Sequence, residues 1–238
     1  LPDRGDPRTM LPAHLVLDAN NPRALWTGQT LPTQRFPAAR NPAQGFLASA
    51  NNDPFGFTHN GRTDDDPWYF GVWFDPGSRA QRIESELTRL VAAGGVTVPA
   101  MQALQLDTHN VFADELLPTL TEALARVPTD PALAAFRAQP ELATLGDILS
   151  RWDRTMDRTS SPAVVYEAWQ NFFARRVLAD DLTLVFDAVL SAEPAYVLKL
   201  LTLTVRGRFA GSERFLQGGV HALALGALAD THAWLVQR

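Results

Sequence analysis

The stretch Ser78-Arg79-Ala80-Gln81-Arg82-Ile83-Glu84-Ser85-Glu86-Leu87-Thr88-Arg89-Leu90-Val91-Ala92-Ala93-Gly94-Gly95 is where the chain changes character. Ile83, Leu87, Leu90 and Val91 recur at the spacing of one helical face, and a stripe of that period must be buried against another element. Ser78 with Gln81 three residues on has the spacing of a capping box, and Gly94-Gly95 stops the run. The pattern predicts a helix over 79–93, with Arg79 at its first position.

Upstream the period is lost. Residues 1–78 carry most of the prolines and asparagines, with Asn20-Asn21-Pro22, Asn41-Pro42, Asn51-Asn52-Asp53-Pro54 and Asp75-Pro76-Gly77 as turn signals. Within this loop-rich arm Gly45-Phe46-Leu47-Ala48-Ser49-Ala50 is the best strand candidate. So long a loop-rich region is expected to carry function or to lean on structure supplied elsewhere.

Downstream the helical period persists. Phe112, Leu116, Leu117, Leu120 and Leu124 predict a helix from Thr108 to Val127, which Pro118 should kink or restart because it has no N–H. Asp130-Pro131, Gln139-Pro140 and Ser161-Pro162 each read as a helix start with proline in the first turn. The last of these places Tyr166, Trp169, Phe173 and Val177 on one buried stripe. Two more helices are expected, from Pro194 to about Arg206 and from about Gly219 to Val236. The fold class is therefore mainly α: a helical domain at 79–238 preceded by the arm at 1–78, with at most short strands and no internal repeat.

Composition excludes several functions. A chain of 238 residues, 46% apolar, can bury a sizeable core. Its net charge of −5 and scattered arginines give no basic stripe for nucleic acid. No apolar run reaches the ~18 residues of a membrane span, and no apolar leader opens the sequence at Leu1-Pro2-Asp3-Arg4. With no cysteine there is no disulfide, thiolate zinc site or cysteine nucleophile. The five histidines never pair at i, i+4, and neither G-x-S-x-G nor a phosphate-binding P-loop occurs.

Three features remain. Asp64-Asp65-Asp66 offers hard oxygen ligands to calcium, although on spacing alone it reads first as a solvated acidic turn. Arg79 sits where the helix macrodipole disfavours a cation, which suggests either a partner or a plain solvent-facing side chain. Asn51-Asn52-Asp53-Pro54 places side-chain amides beside Phe55, Phe57, Trp68, Tyr69, Phe70, Trp73 and Phe74. An amide N–H₂ suits a developing oxyanion and the rings suit an apolar acyl pocket; an ordinary turn over an aromatic core is the alternative.

In combination these signals become specific. Trp26-x-Gly28-x-x-Leu31-Pro32, Pro37, Asn41-Pro42-x-x-Gly45-Phe46, Ala50-Asn51-Asn52-x-Pro54 and Gly77-Ser78-Arg79-x-x-Arg82-Ile83 resemble, in order and spacing, the β-subunit of the penicillin acylases (penicillin amidases). Leu104-Gln105-x-Asp107, Ala113, Pro118, Leu120, Trp152-Asp153 and Ser161-x-Ala163-x-x-Tyr166 resemble the helical region that follows in that family.

The resemblance implies an N-terminal-nucleophile hydrolase of α+β, αββα architecture, made by self-cleavage of a precursor and acting on amide C–N bonds through a new N-terminal serine. It implies that Asn51 donates to the tetrahedral oxyanion and that Arg79 positions the reacting groups. It also implies a structural calcium, with Asp66 as the best-matching ligand and Asp6-Pro7-Arg8 contacting the same ion. No cofactor for catalysis is implied.

The resemblance implies a small-molecule acyl amide substrate of the β-lactam side-chain or acyl homoserine lactone type. It likewise implies as partners the remaining α-subunit and nucleophile-bearing parts of the precursor, and a periplasmic or extracellular location. Residue 1 is Leu rather than Ser, so the chain reads as an internal fragment, inactive alone. The alternatives are a non-catalytic helical ligand-binding module and a subunit that complements a separate nucleophile chain.

Overall fold

A computed structural model describes residues 16–24, 28–53 and 74–237. Eight α-helices are formed among them: α1 (Ser78–Ala92), α2 (Val98–Gln105), α3 (Val111–Arg126), α4 (Pro140–Ser150), α5 (Ser161–Leu182), α6 (Phe186–Ala192), α7 (Pro194–Val205) and α8 (Val220–Val236). The fold is mainly α, as the periodicity predicts. The described residues form no sheet; single bridges pair Asn52 with Asp75 and His109 with Thr155. The chain divides into two compact units, 1–105 and 106–238.

In the first unit, α1 buries Ala80, Leu87 and Leu90. Its start departs from the capping-box expectation. Gly77, not Ser78, is the N-cap, at φ 94° and with no side-chain cap, a conformation that glycine adopts without a Cβ penalty. Asp75 Oδ1 accepts from Gly77 N–H at 2.9 Å instead, so Ser78 is the first helical residue and Arg79 the second. Residues 45–50 are not a strand, and Leu47 is left 65% exposed. A strand needs a ladder partner, and among the described residues only the one-residue bridge of Asn52 with Asp75 forms beside this segment.

The second unit is built around α5. Tyr166, Trp169, Phe173 and Leu178 are fully buried, and α5 packs most extensively on α8, with α3, α4 and α7 completing the core. Ring contacts run along α5 from Trp152 to Tyr166 (5.1 Å), Tyr166 to Trp169 (5.8 Å) and Trp169 to Phe173 (5.1 Å). Ser160 caps α5 through its side-chain oxygen, which accepts from Ala163 N–H at 3.3 Å. Arg176 reaches from α5 across Gly226 of α8, where a Cβ would meet its guanidinium, to fork onto both carboxylate oxygens of Asp230 at 2.6 and 2.9 Å.

Pro118 does not restart α3. The helix runs unbroken from Val111, three residues later than the expected Thr108, and is capped by Asn110, whose side chain accepts from Ala113 N–H at 3.0 Å. Burial of Ala113, Leu116, Leu117, Leu120 and Ala123 on both sides of the proline outweighs the one missing hydrogen bond. Thr108 and His109 instead pair with the loop after α4, where Met156 N–H donates to Thr108 O at 3.0 Å.

Burial pushes the Tyr166 hydroxyl well above the ordinary tyrosine range. A group whose folded pKa is raised contributes stability that is fully present below its unfolded value near 10 and is lost as pH rises through the folded value. Of the three tyrosines, Tyr166 is therefore expected to resist ionisation in an ultraviolet titration until the helices unfold. Ionisation of all three below about pH 10.5 with ellipticity intact would contradict this burial.

Candidate active site

Two of the residues singled out in the sequence are brought together although they lie 28 positions apart. Asn51 sits at φ 59°, in the left-handed region that asparagine tolerates better than most residues. Its carbonyl accepts from Asp75 N–H at 2.8 Å. Asn52 holds the turn from the other side, its Oδ1 accepting from Ala50 N–H at 3.1 Å. The Ala50–Asn52 turn is thus laced to the entry of α1.

Arg79 spans the two segments. Its Nη2 donates to Ala50 O at 2.9 Å and to Asn51 Oδ1 at 3.1 Å, while its Nε donates to Asp75 Oδ2 at 2.9 Å. This answers the puzzle of a cation in the first turn of a helix: one carboxylate and two neutral oxygens face it. The Arg79 side chain is 57% exposed, and an exposed ion pair contributes only about 0–1 kcal/mol. The arrangement fixes geometry more than it stabilises the fold.

The geometry also assigns the Asn51 amide. A guanidinium only donates, so the atom facing Arg79 is Oδ1, and Nδ2 is directed to the other side of the planar amide. Nδ2 has no partner among the described residues and Asn51 is exposed. A neutral N–H₂ donor held in a fixed direction is suited to stabilising an oxyanion.

Asp75 is the member of this site that sequence reasoning missed. It was legible only as part of a turn signal, yet one carboxylate oxygen stops Gly77 N–H and the other holds Arg79. A second polar cluster, in the other unit, was also missed: His109 Nε2 and Arg154 Nη1 converge on the two oxygens of Asp114, at 2.8 and 2.5 Å.

Asp66, the Asp6-Pro7-Arg8 stretch and the aromatic residues from Phe55 to Trp73 lie outside the described residues. Among the described residues no three His, Asp or Glu side chains converge as a metal site would require, and none of the helices is long and apolar enough to cross a membrane. A family model described as penicillin amidase matches residues 1–238.

Proposed function

The chain belongs to the penicillin amidase family, a family of hydrolases, and on that premise we propose that its Asn51–Arg79 pair serves the acyl-transfer step of an amide hydrolase. Attack on the amide carbonyl moves the π electrons onto oxygen, and Asn51 Nδ2 donates to that oxyanion. Arg79 is a positioning residue: it holds Oδ1 so that Nδ2 need not reorient as the charge develops. The nucleophile is an N-terminal serine contributed by another part of the precursor. It forms an ester with the acyl group as the C–N bond breaks and the amine leaves with a proton; water then releases the carboxylic acid. The substrate is an acylated amine of the β-lactam side-chain or acyl homoserine lactone type. Calcium at Asp66 rests on the resemblance alone, and no step of this reaction uses it.

The observation that carries this reading is the bridge from Arg79 to Asn51 Oδ1, 3.1 Å long, which leaves a single oriented amide donor exposed. The test is intact mass and N-terminal sequencing of the protein expressed from its complete reading frame, followed by an assay on a chromogenic acyl amide. A processed chain beginning with serine that releases the chromophore supports the reading. An unprocessed, inactive protein that still binds acyl amides overturns it in favour of a binding module.

In the active enzyme, Arg79→Ala is expected to lower kcat by about 10–100-fold, the scale of a misplaced catalytic group, with little change in KM. Arg151 makes the comparison, since it is exposed and pairs only along its own helix, with Asp147 at 2.8 Å. Equal effects of Arg79→Ala and Arg151→Ala would reduce Arg79 to a surface residue.

A further inference from the structure

The second unit holds a cleft that the reading above does not use. It opens between α3, α4 and the loop after α4, with a volume of about 520 Å³, inside the ~300–1,000 Å³ range of small-molecule sites. Leu117, Leu120, Leu124, Leu149 and Trp152 give it apolar walls. Leu124 can occupy that wall because residue 146 of α4 is glycine; a Cβ there would collide with Leu124 Cδ1.

Arg154 lines the same cleft. Its backbone lies at φ 65°, a sparsely populated region for a residue with a side chain. Asn110 N–H holds it there by donating to Arg154 O at 2.8 Å. One guanidinium nitrogen, Nη1, donates to Asp114 Oδ1 at 2.5 Å, and that carboxylate also takes His109 Nε2 at 2.8 Å. The other guanidinium donors have no partner among the described residues, and the side chain is 40% exposed. The one acid lining the cleft, Glu122, is faced by Arg126 Nη1 and His221 Nε2, each at 3.5 Å, so its charge is already countered.

We propose that this cleft binds an apolar monocarboxylate, with Arg154 holding the carboxylate and the leucines and Trp152 covering the tail. One guanidinium edge matches one carboxylate, and its planar fork suits two parallel N–H···O bonds. A phosphate of twice the charge finds no second cation with open donors lining the cleft, and an uncharged ligand leaves the open donors of Arg154 unused. The site lies wholly within 106–238 and shares no residue with Asn51 and Arg79. Its failure and the failure of the amidase reading are therefore separate results.

The test is isothermal titration of the 238-residue chain with phenylacetate and octanoate, and with phenylacetamide and octanamide as uncharged counterparts. Saturable one-to-one binding is expected in the millimolar range or tighter, with the amides at least about tenfold weaker. Arg154→Gln is expected to weaken the acids by about tenfold and leave the amides unchanged. Because that change also breaks the pair with Asp114, Thr121→Trp, at the exposed rim of the cleft, gives a second reading: it narrows the mouth, keeps every ion pair, and should weaken acids and amides alike. Amide-resonance shifts on binding should fall within 117–125 and 146–154. No saturable heat up to roughly 10 mM, equal binding of acids and amides, indifference to both substitutions, or shifts elsewhere would overturn the proposal.

Discussion

In the active enzyme, Asn51→Ala is expected to lower kcat by about 10²–10³-fold, equivalent to about 2.7–4 kcal/mol of lost transition-state stabilisation, with KM little changed. The expectation follows from the direction of the amide. Arg79 occupies Oδ1, so under the proposed role the substitution removes the Nδ2 donor together with the Arg79–Oδ1 contact, while Arg79 keeps its bonds to Asp75 and to Ala50 O. Two effects of Asn51→Ala must be separated. Residue 51 sits at φ 59°, where alanine is less comfortable than asparagine, at a cost of roughly 1 kcal/mol. A small fall in melting temperature is therefore expected as well.

Asn51→Asp separates them. Aspartate tolerates the left-handed region nearly as well and can keep the contact with Arg79, but it places an acceptor where the donor stood. It should be at least as damaging to kcat as alanine while sparing stability. If Asn51→Asp turns over within about threefold of the parent, the oxyanion assignment is wrong.

Much of the helical unit was legible because local and global signals agree there. Ser161-Pro162 announces the start of α5, and the Tyr166, Trp169, Phe173 and Val177 stripe lies buried along it. The failures have physical causes. α2 buries no residue, so it carries no stripe to read, and α6 buries only Phe186. Pro118 reads as a break because periodicity registers a missing N–H but not the packing that overrides it. The cap of α1 was misplaced because the oxygen that organises it belongs to Asp75, outside the four-residue window of a capping box. At the candidate site, residue types could be recognised singly: an asparagine in a turn, an arginine where a cation is disfavoured. That each accounts for the other is a long-range fact, made by the Ala50–Asn52 turn folding back onto the entry of α1.

Trp169→Ala is expected to destabilise the 106–238 unit by about 3–5 kcal/mol, the range for emptying a buried indole site. Against a total of about 5–15 kcal/mol for a domain, this removes a large part of the margin. It should lower the melting temperature by about 10 °C or more. The position is exacting for three reasons. The indole is fully buried, it stacks on Phe173 with ring centroids 5.1 Å apart, and its Nε1 donates to Ala224 O at 3.0 Å. The last contact joins the two helices that pack most extensively, α5 and α8, so the cavity opens at the seam of the core where neither helix can collapse freely into it.

Trp169→Phe divides the effect. It keeps most of the stacked area but loses the hydrogen bond to Ala224 O and part of the indole volume, a combined loss of about 1–2 kcal/mol. Thermal unfolding followed by far-ultraviolet circular dichroism should therefore show the phenylalanine variant recovering more than half of the alanine deficit. A Trp169→Ala protein melting within a degree or two of the parent would mean that the α5–α8 seam does not hold the unit together.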